Sequence, residues 1–312
     1  MKNHAILGPY PPPYEGVGIV AKQEHDRTGG LFIGTSKMAR KSESIDIVKK
    51  SRFIFNLWSL LGKIRKHRQE ILGISSHFAT TYGFVAYLAK KLYKISYTVT
   101  CHGSDILLNL DKFPHKILTR KALENADEII VVSEALKQKI IESGITNQTI
   151  KVVVNQPRDE FKKTKTAKKK QIICVGTVYE RKGQDLLVDA FGKIAKDFPE
   201  HKLVLVGRMT DANFKKKLDR LIRYYHIQNR VEFLGERDDV YNLLNESELF
   251  VLPSRSEGYG LALAEALACG LPCIASNVGG VPEVPGKKAN CTLVNTEDIE
   301  HLVHSMRKRL KR

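Results

Sequence analysis

The chain has 312 residues, more than one hydrophobic core usually serves, so two domains of ordinary size are expected. Its 42% hydrophobic and 27% charged residues fit a globular protein, and no apolar run approaches the roughly 18 residues that a membrane span needs. With 51 Lys+Arg against 34 Asp+Glu the net charge is +17, which implies anionic partners but excludes no fold and names no chemistry.

The first residues, MKNHAILGPYPPPYEG, lack the long apolar core and small-residue cleavage site of a signal peptide, and a cytosolic protein is the expectation. Ala5 to Leu7 leading into Gly8 look instead like a first strand. The loop after it is rich in proline and ends at Gly16-Val17-Gly18, with a short helix predicted over Val17–Lys22. A glycine loop between a first strand and its helix is where a doubly wound sheet offers backbone to a ligand. The same glycines also suit a plain tight turn. The GxGxxG and GxxxxGK[ST] fingerprints are both absent. Gln23 to Gly30 is polar and weakly patterned, and Leu31 to Gly34 is a candidate second strand.

From Phe53 to Gln69 the apolar residues Ile54, Leu57, Leu61 and Ile64 recur at helical spacing, and Lys63, Arg65, Lys66, His67 and Arg68 crowd the end. Two readings stand: a packed helix whose cations suit the macrodipole, or a helix lying on a membrane surface. Ile71–His77 is the next strand and Tyr82–Lys91 the next helix. Tyr97–Cys101 alternates and is β-branched, and it runs straight into His102-Gly103-Ser104-Asp105. In a parallel sheet such a loop faces the ligand crevice, so His102 is either placed to meet a substrate or simply solvated, and Asp105 can cap the helix that follows. Lys121–Ala126 belongs to a helix, Glu128–Val132 to a strand, Ala135–Ser143 to a helix that Gly144 stops, and Ile150–Val154 to a strand. The alternation argues for an open parallel sheet covered by helices.

The pattern breaks after Asn155. FKKTKTAKKK is lysine-rich and reads as a solvated, self-repelling linker, giving an N-terminal domain 1–157, a linker 158–170 and a C-terminal domain 171–312. No aromatic interleaving or base-reading module accompanies the charge, so nucleic acid has little support as a partner. Gln171–Val175 opens the second domain as a strand, and the loop after it carries Arg181-Lys182-Gly183 before a helix over Gln184–Lys196. Two cations at the C-terminal edge of a strand can hold a diphosphate, Arg through a fork and Lys as a point charge, although such a triplet is also an ordinary solvated turn. Strands at Lys202–Val206 and Val231–Leu234 and helices at Phe214–Tyr225 and Val240–Glu246 follow. Two α/β halves joined by a linker make a cleft, the usual place for a small-molecule site.

The most informative stretch is LFVLPSRSEGYGLALAEALACGLPCIASNVGGVPE, Leu249 to Glu283. A buried strand ends at Pro253, a loop with Glu257, Gly258 and Gly260 follows, and an Ala/Leu-rich helix from Leu261 carries Glu265 in its early turns. Glycines at a helix entrance favour a phosphate, and the flanking carboxylates can accept hydrogen bonds from hydroxyls. A phosphate beside sugar hydroxyls is what a nucleotide-sugar presents. The tail from Glu297 to Arg312 is a last helix, apolar on one face and strongly basic at its end. The five cysteines, Cys101, Cys174, Cys269, Cys273 and Cys291, form no CxxC pair and have no His cluster beside them, so buried free thiols are expected and no metal site.

The motifs together resemble the retaining glycosyltransferases of family 4. SRSEGYGLALAEALACGLPCIASNVGGVPE carries the E-x7-E signature of that family, and GPYPPPYEGVG, TCHGSD, VGTVYERKG and VEFLGERDDV fall in the family's order over nearly the whole chain. The resemblance implies a GT-B fold, α/β, with two Rossmann-like domains whose parallel sheets face each other across a cleft. It implies transfer of a sugar from an NDP-sugar, UDP- or GDP-linked, to a glycan or lipid-linked acceptor with retention of configuration, and no cofactor or dedicated metal. By the same resemblance Glu257 contacts the donor sugar, Glu265 the ribose, and Lys182 with Arg181 the leaving diphosphate. The backbone of Gly258, Tyr259, Gly260 and Leu261 assists at the helix start, His102 lies near the transferred sugar, and Gly16 or Gly18 approaches the diphosphate. Many relatives carry Arg where this chain has Thr177, which shifts the diphosphate onto Arg181 and Lys182. Relatives also continue into further helices past the point matching Arg312. Such proteins act in polysaccharide or glycolipid assembly, in the cytoplasm or peripherally on the inner face of the membrane. A non-catalytic nucleotide-sugar-binding or scaffold protein of the same fold is the competing reading.

Overall fold

The computed structural model describes residues 3–9, 16–34, 47–145, 149–285 and 290–311. The chain forms two compact units, Met1–Asn155 and Gln156–Arg312. The residues Tyr10 to Glu15 of the proline-rich loop lie outside the described residues.

In the first unit the strands are β1 (Asn3–Leu7), β2 (Leu31–Ile33), β3 (Ile71–His77), β4 (Ser96–Cys101), β5 (Glu128–Val131) and β6 (Ile150–Val152). They form one parallel sheet in the order β2-β1-β3-β4-β5-β6. Its helices are α1 (Gly16–Thr28), α2 (Ile47–His67), α3 (Phe84–Tyr93), α4 (Ser104–Leu107), α5 (His115–Glu124) and α6 (Glu134–Glu142). The apolar runs are short, β-branched and buried on both faces, as a parallel sheet under helices requires: Ile6, Leu7, Ile74, Val99, Ile129 and Val131 are all at most 2% exposed.

Three local features depart from the sequence reading. The helix expected over Val17–Lys22 is longer, because α1 continues through the polar, weakly patterned residues after Lys22 to Thr28. Only one narrow face of that helix is buried, through Ala21, and its polar turns are held by i,i+4 links such as Lys22 to Asp26 and the Thr28 hydroxyl to the Glu24 carbonyl. Second, the helix expected from Tyr82 starts at Phe84, and the residues before it, Ala79–Gly83, wind as a single π turn that buries Ala79, Thr80 and Tyr82. Third, α6 begins one residue earlier than expected because the Ser133 hydroxyl caps it, accepting from the Leu136 amide.

The second unit has β7 (Gln171–Val175), β8 (Lys202–Val206), β9 (Val231–Gly235), β10 (Leu249–Leu252), β11 (Cys273–Ser276) and β12 (Cys291–Val294). They too form a parallel sheet, in the order β12-β11-β10-β7-β8-β9. The helices are α7 (Gln184–Ile194), α8 (Ala212–Tyr224), α9 (Val240–Glu246), α10 (Leu261–Ala268) and α11 (Ile299–Leu310). α7, α8 and α11 cover one face of the sheet through Phe191, Leu218 and Met306, and α9 and α10 cover the other through Leu244 and Leu263.

The lysine-rich segment before β7 keeps its lysines exposed, yet it is not loose from the second unit. The Phe161 ring is 4% exposed and packs in the core under α9 and α10. The Thr164 amide donates to the Asn245 side chain at 2.8 Å, and the same amide group of Asn245 returns a bond to the Lys162 carbonyl. Among the described residues no helix is long and apolar enough to cross a membrane.

Candidate functional site

In a doubly wound sheet the ligand crevice opens where strand order reverses, beyond the carboxyl ends of the two strands that flank the reversal. In the second unit those strands are β7 and β10. The loop after β7 carries Arg181 and Lys182, and the loop after β10 carries Glu257. Topology therefore brings together residues 75 positions apart in sequence.

Lys182 Nζ lies 2.5 Å from Glu257 Oε1, and the Ser254 hydroxyl donates to the same oxygen at 2.9 Å. Glu257 is only 7% exposed. Burial alone would raise its pKa, but the charges of Lys182 and Arg181 and the two hydrogen bonds outweigh it and hold the carboxyl below the usual range. The Arg181 guanidinium donates to the Tyr179 hydroxyl at 2.7 Å and to the Ser256 carbonyl at 3.3 Å, so it leans over the same loop. Two cations and one ionised carboxylate thus share a small volume at the switch point.

The loops are fixed by their backbones. Gly183 sits at φ +67°, and a Cβ there would stand 2.0 Å from the Pro253 carbonyl. Gly279 sits at φ +51°, and a Cβ there would stand 2.0 Å from the Glu257 carbonyl. Only glycine permits either crossing. Arg255 adds a side-chain clamp: its guanidinium forks onto both oxygens of Asp185 at 2.8 and 2.9 Å, bonds the Glu180 carbonyl, and reaches Glu297. Its own amide donates to the Arg181 carbonyl at 2.8 Å. Asp185 is 4% exposed; burial opposes its charge, but Arg255 and Lys217 hold its carboxyl below the usual range.

Gly258, Tyr259 and Gly260 continue from Glu257 as buried backbone, and Gly260, at φ +107°, turns the chain into α10 at Leu261. Glu265 lies in the second turn and is 7% exposed. It stands in the opposite state to Glu257: burial pushes its pKa up to about 7, with Arg158 lowering and Glu160 raising it by smaller amounts. Arg158 pairs with Glu160 at 2.9 Å, stacks on Phe161, and keeps a buried Nε without a partner. Sequence reading missed Arg158, Asp185 and Arg255, because nothing in their neighbours marks them; only the fold brings them beside Glu265 and Arg181.

In the first unit the order reverses between β1 and β3. Gly18 is buried in the first turns of α1, which Gly16 opens. His102 follows β4. Its Nε2 lies 3.1 Å from His77 Nδ1, with the two rings stacked at 5.3 Å and 23°, and His77 Nε2 lies 2.9 Å from Glu24 Oε2. The buried Asp105 carboxylate accepts from the amides of Ala79, His102 and Gly103, which ties the His102 loop to the end of β3. Burial, and then the neighbouring His77, hold the His102 pKa well below the usual imidazole value. Glu24 and His77 were not singled out from sequence, since each is a lone polar residue until β3 and α1 meet.

Comparison with known proteins bears on the family and the fold. The model of the family "Glycosyl transferases group 1" matches residues 155–312, and that of "Glycosyltransferase Family 4" matches residues 42–155. An N-acetyl-alpha-D-glucosaminyl L-malate synthase of Bacillus anthracis is 36% identical over 222 residues, 67% of this chain and 57% of that protein, so the chain spans less than two thirds of that relative's length. Sucrose-phosphate synthase of Thermosynechococcus elongatus superposes with a TM-score of 0.83 at 19% identity, over 100% of this chain and 90% of that one. HepE of Anabaena, solved with UDP and glucose, superposes with a TM-score of 0.80 at 19% identity, over 99% and 89%. At such identities the likeness of the solved structures is one of fold, and with the family matches it leads to one conclusion: the chain belongs to glycosyltransferase family 4 and has the GT-B fold.

Proposed function

We propose that the protein transfers a sugar from a nucleoside-diphosphate donor to a hydroxyl acceptor with retention of anomeric configuration. The observation that carries this reading is the Lys182–Glu257 pair, with Arg181 beside it, at the switch point of the second unit. A diphosphate needs cations and oriented amides, which Lys182, Arg181 and the start of α10 supply. The developing positive charge at the anomeric carbon needs a fixed carboxylate, and Glu257, held ionised, supplies one and can also accept from sugar hydroxyls. Glu265 is the candidate acceptor for ribose hydroxyls. HepE was solved with UDP, which favours a uridine diphosphate donor. His102 serves the transferred sugar from the first unit, and Gly16 and Gly18 offer backbone to the diphosphate. In the division 1–157, 158–170 and 171–312 the first domain takes the acceptor, and the lysine-rich 158–170 goes with the second, on which Phe161 and Thr164 are held.

The acceptor we favour is a glycan or lipid-linked sugar, on the strength of the +17 charge and the family resemblance. The relative from Bacillus anthracis bears the name of a malate-glycosylating enzyme, so a small hydroxy acid is the alternative that an acceptor screen must include. Stabilisation of the native state across a panel of nucleoside diphosphates and their sugars identifies the donor. With that donor, Lys182→Ala and Glu257→Ala are each expected to lower kcat by about 100-fold or more, with circular dichroism unchanged. Turnover at the level of the unaltered protein in both variants would sink the site. A non-catalytic binding role is the second reading, and any turnover of an NDP-sugar disposes of it.

A further inference from the structure

Glu24, His77 and His102 form a chain of side chains at the switch point of the first unit, and the carboxylate at its end sets the direction of the first hydrogen bond in it. Burial would raise the pKa of Glu24, but its hydrogen bond to His77, with help from Ser75 and Arg27, brings it below the usual carboxylate range, so it has no proton to donate. His77 Nε2 must therefore carry a proton and give it to Glu24 Oε2 across 2.9 Å. His77 is 1% exposed, and where that proton is the only one on its ring, Nδ1 is a bare acceptor. Among the described residues the hydrogen bond to that atom comes from His102 Nε2 at 3.1 Å, and with Nδ1 of His77 accepting, the His102 proton resides on Nε2. The His102 loop cannot drift from this register, since its amide and that of Gly103 are both held by Asp105, which also holds Ala79 just past the end of β3. Gly8 presses on the same place: a Cβ there would meet Ala21 at 3.0 Å and His77 Cβ at 3.4 Å, which seats α1, and with it Glu24, against β3.

We infer that His77 is neutral and that it and Glu24 are positioning residues, which hold His102 in the Nε2–H tautomer and leave its Nδ1 as a lone-pair acceptor for a hydroxyl of the bound sugar. This rests on the proposed placement of His102 beside the transferred sugar. A histidine fixed in this way meets a hydroxyl as an acceptor and meets a phosphate oxygen poorly, so the chain selects which part of the donor the ring can serve. Carboxylate-to-imidazole contacts fix tautomer and ring orientation in the same manner elsewhere in protein chemistry.

The test is the ring-nitrogen spectrum of the full-length protein labelled with 15N-histidine, at neutral pH, with His102→Gln used to assign the His102 signals. The expected result is a His102 ring with protonated Nε2 and unprotonated Nδ1. In Glu24→Leu the same signals move to a mixture of tautomers, while Glu24→Gln, whose amide oxygen still accepts from His77, keeps the single form. With the donor, Glu24→Leu is expected to lower kcat by about 10- to 100-fold with KM for the donor within about twofold, and Glu24→Gln to restore most of it. A proton on His102 Nδ1 in the unaltered protein, as a cationic His77 would impose, overturns the inference. So does a spectrum unmoved by Glu24→Leu. Full turnover in His102→Ala, whatever the spectra show, instead removes His102 from the sugar site.

Discussion

Glu257 and Glu265 stand eight positions apart, and each is 7% exposed, yet they sit in opposite electrostatic states. Glu257 has Lys182, Arg181 and Ser254 to offset its burial, whereas for Glu265 the charge of Arg158 is opposed by that of Glu160. The first therefore contributes stability above the usual carboxylate range and loses it as pH falls through its depressed pKa. The second works the other way. Between its ordinary value of 4.5 and its folded value of about 7, the native state holds a proton that the unfolded chain has lost. Stability falls over that window as pH rises, and the full cost, roughly 3 kcal/mol, is present above it. Glu265→Gln is accordingly expected to raise stability in urea by roughly 2–3 kcal/mol near pH 8 and to change little near pH 4. An equal effect at both values would refute the buried, destabilised carboxyl. Both carboxylates were legible in sequence from their spacing and the glycines between them. Their unlike states were not, because Arg158, Lys182 and Ser254 reach them only through the fold.

At the level of elements, the alternation of strands and helices was open to reading because parallel strands here are short β-branched runs bounded by glycine. The strand order was not, and it is the order that puts β7 beside β10 and β1 beside β3. The length of α1 was hidden as well, because a helix burying one narrow face carries little periodic signal. Arg255 shows what such juxtaposition achieves. It joins the loop after β10 to Glu180 and Asp185 around the two cations, so its loss should loosen Arg181 and Lys182 without touching a ligand. Arg255→Ala is expected to weaken nucleoside-diphosphate binding about tenfold in calorimetry and to destabilise the fold by roughly 2–4 kcal/mol, since buried Asp185 loses its fork and keeps the single charge of Lys217 among the described residues. Arg255→Lys should recover charge but not the fork, and so only part of the affinity. Unchanged affinity in Arg255→Ala would mean that the glycine crossings alone hold the loops.

For the molecule as a whole, the surplus of cations is distributed unevenly in what it can do. On α11, Arg307 is engaged with Asp197 and Arg309 with Asn290 and Thr292, and the helix packs on α7 through Leu302, Val303 and Met306. The basic end of α2 is different: Leu60, Leu61 and Ile64 are buried, whereas Lys63, Arg65, Lys66 and Arg68 are exposed and Trp58 is 67% exposed. Both readings of that helix made from sequence can hold together, with one face packed and the other free for an anionic surface. Vesicles containing anionic lipid are expected to retain the protein at low salt and to release it as ionic strength rises past about 0.1 M, where the screening length is about 10 Å. Equal behaviour on neutral and anionic vesicles would argue against a membrane role.

The placement of Phe161 also bears on how the gene can be dissected. The ring is inserted beneath the helix that bears Glu265, ten residues before β7 begins, and Arg158 lies just ahead of it. A fragment cut at Gln171, where the strand pattern resumes, would lose that plug, open the core beneath α9 and α10 to water, and strip Glu265 of the charge of Arg158. One cut at Gln156 would carry its own stopper. The lysines that look like slack between two bodies are, in cloning terms, the first residues of the second.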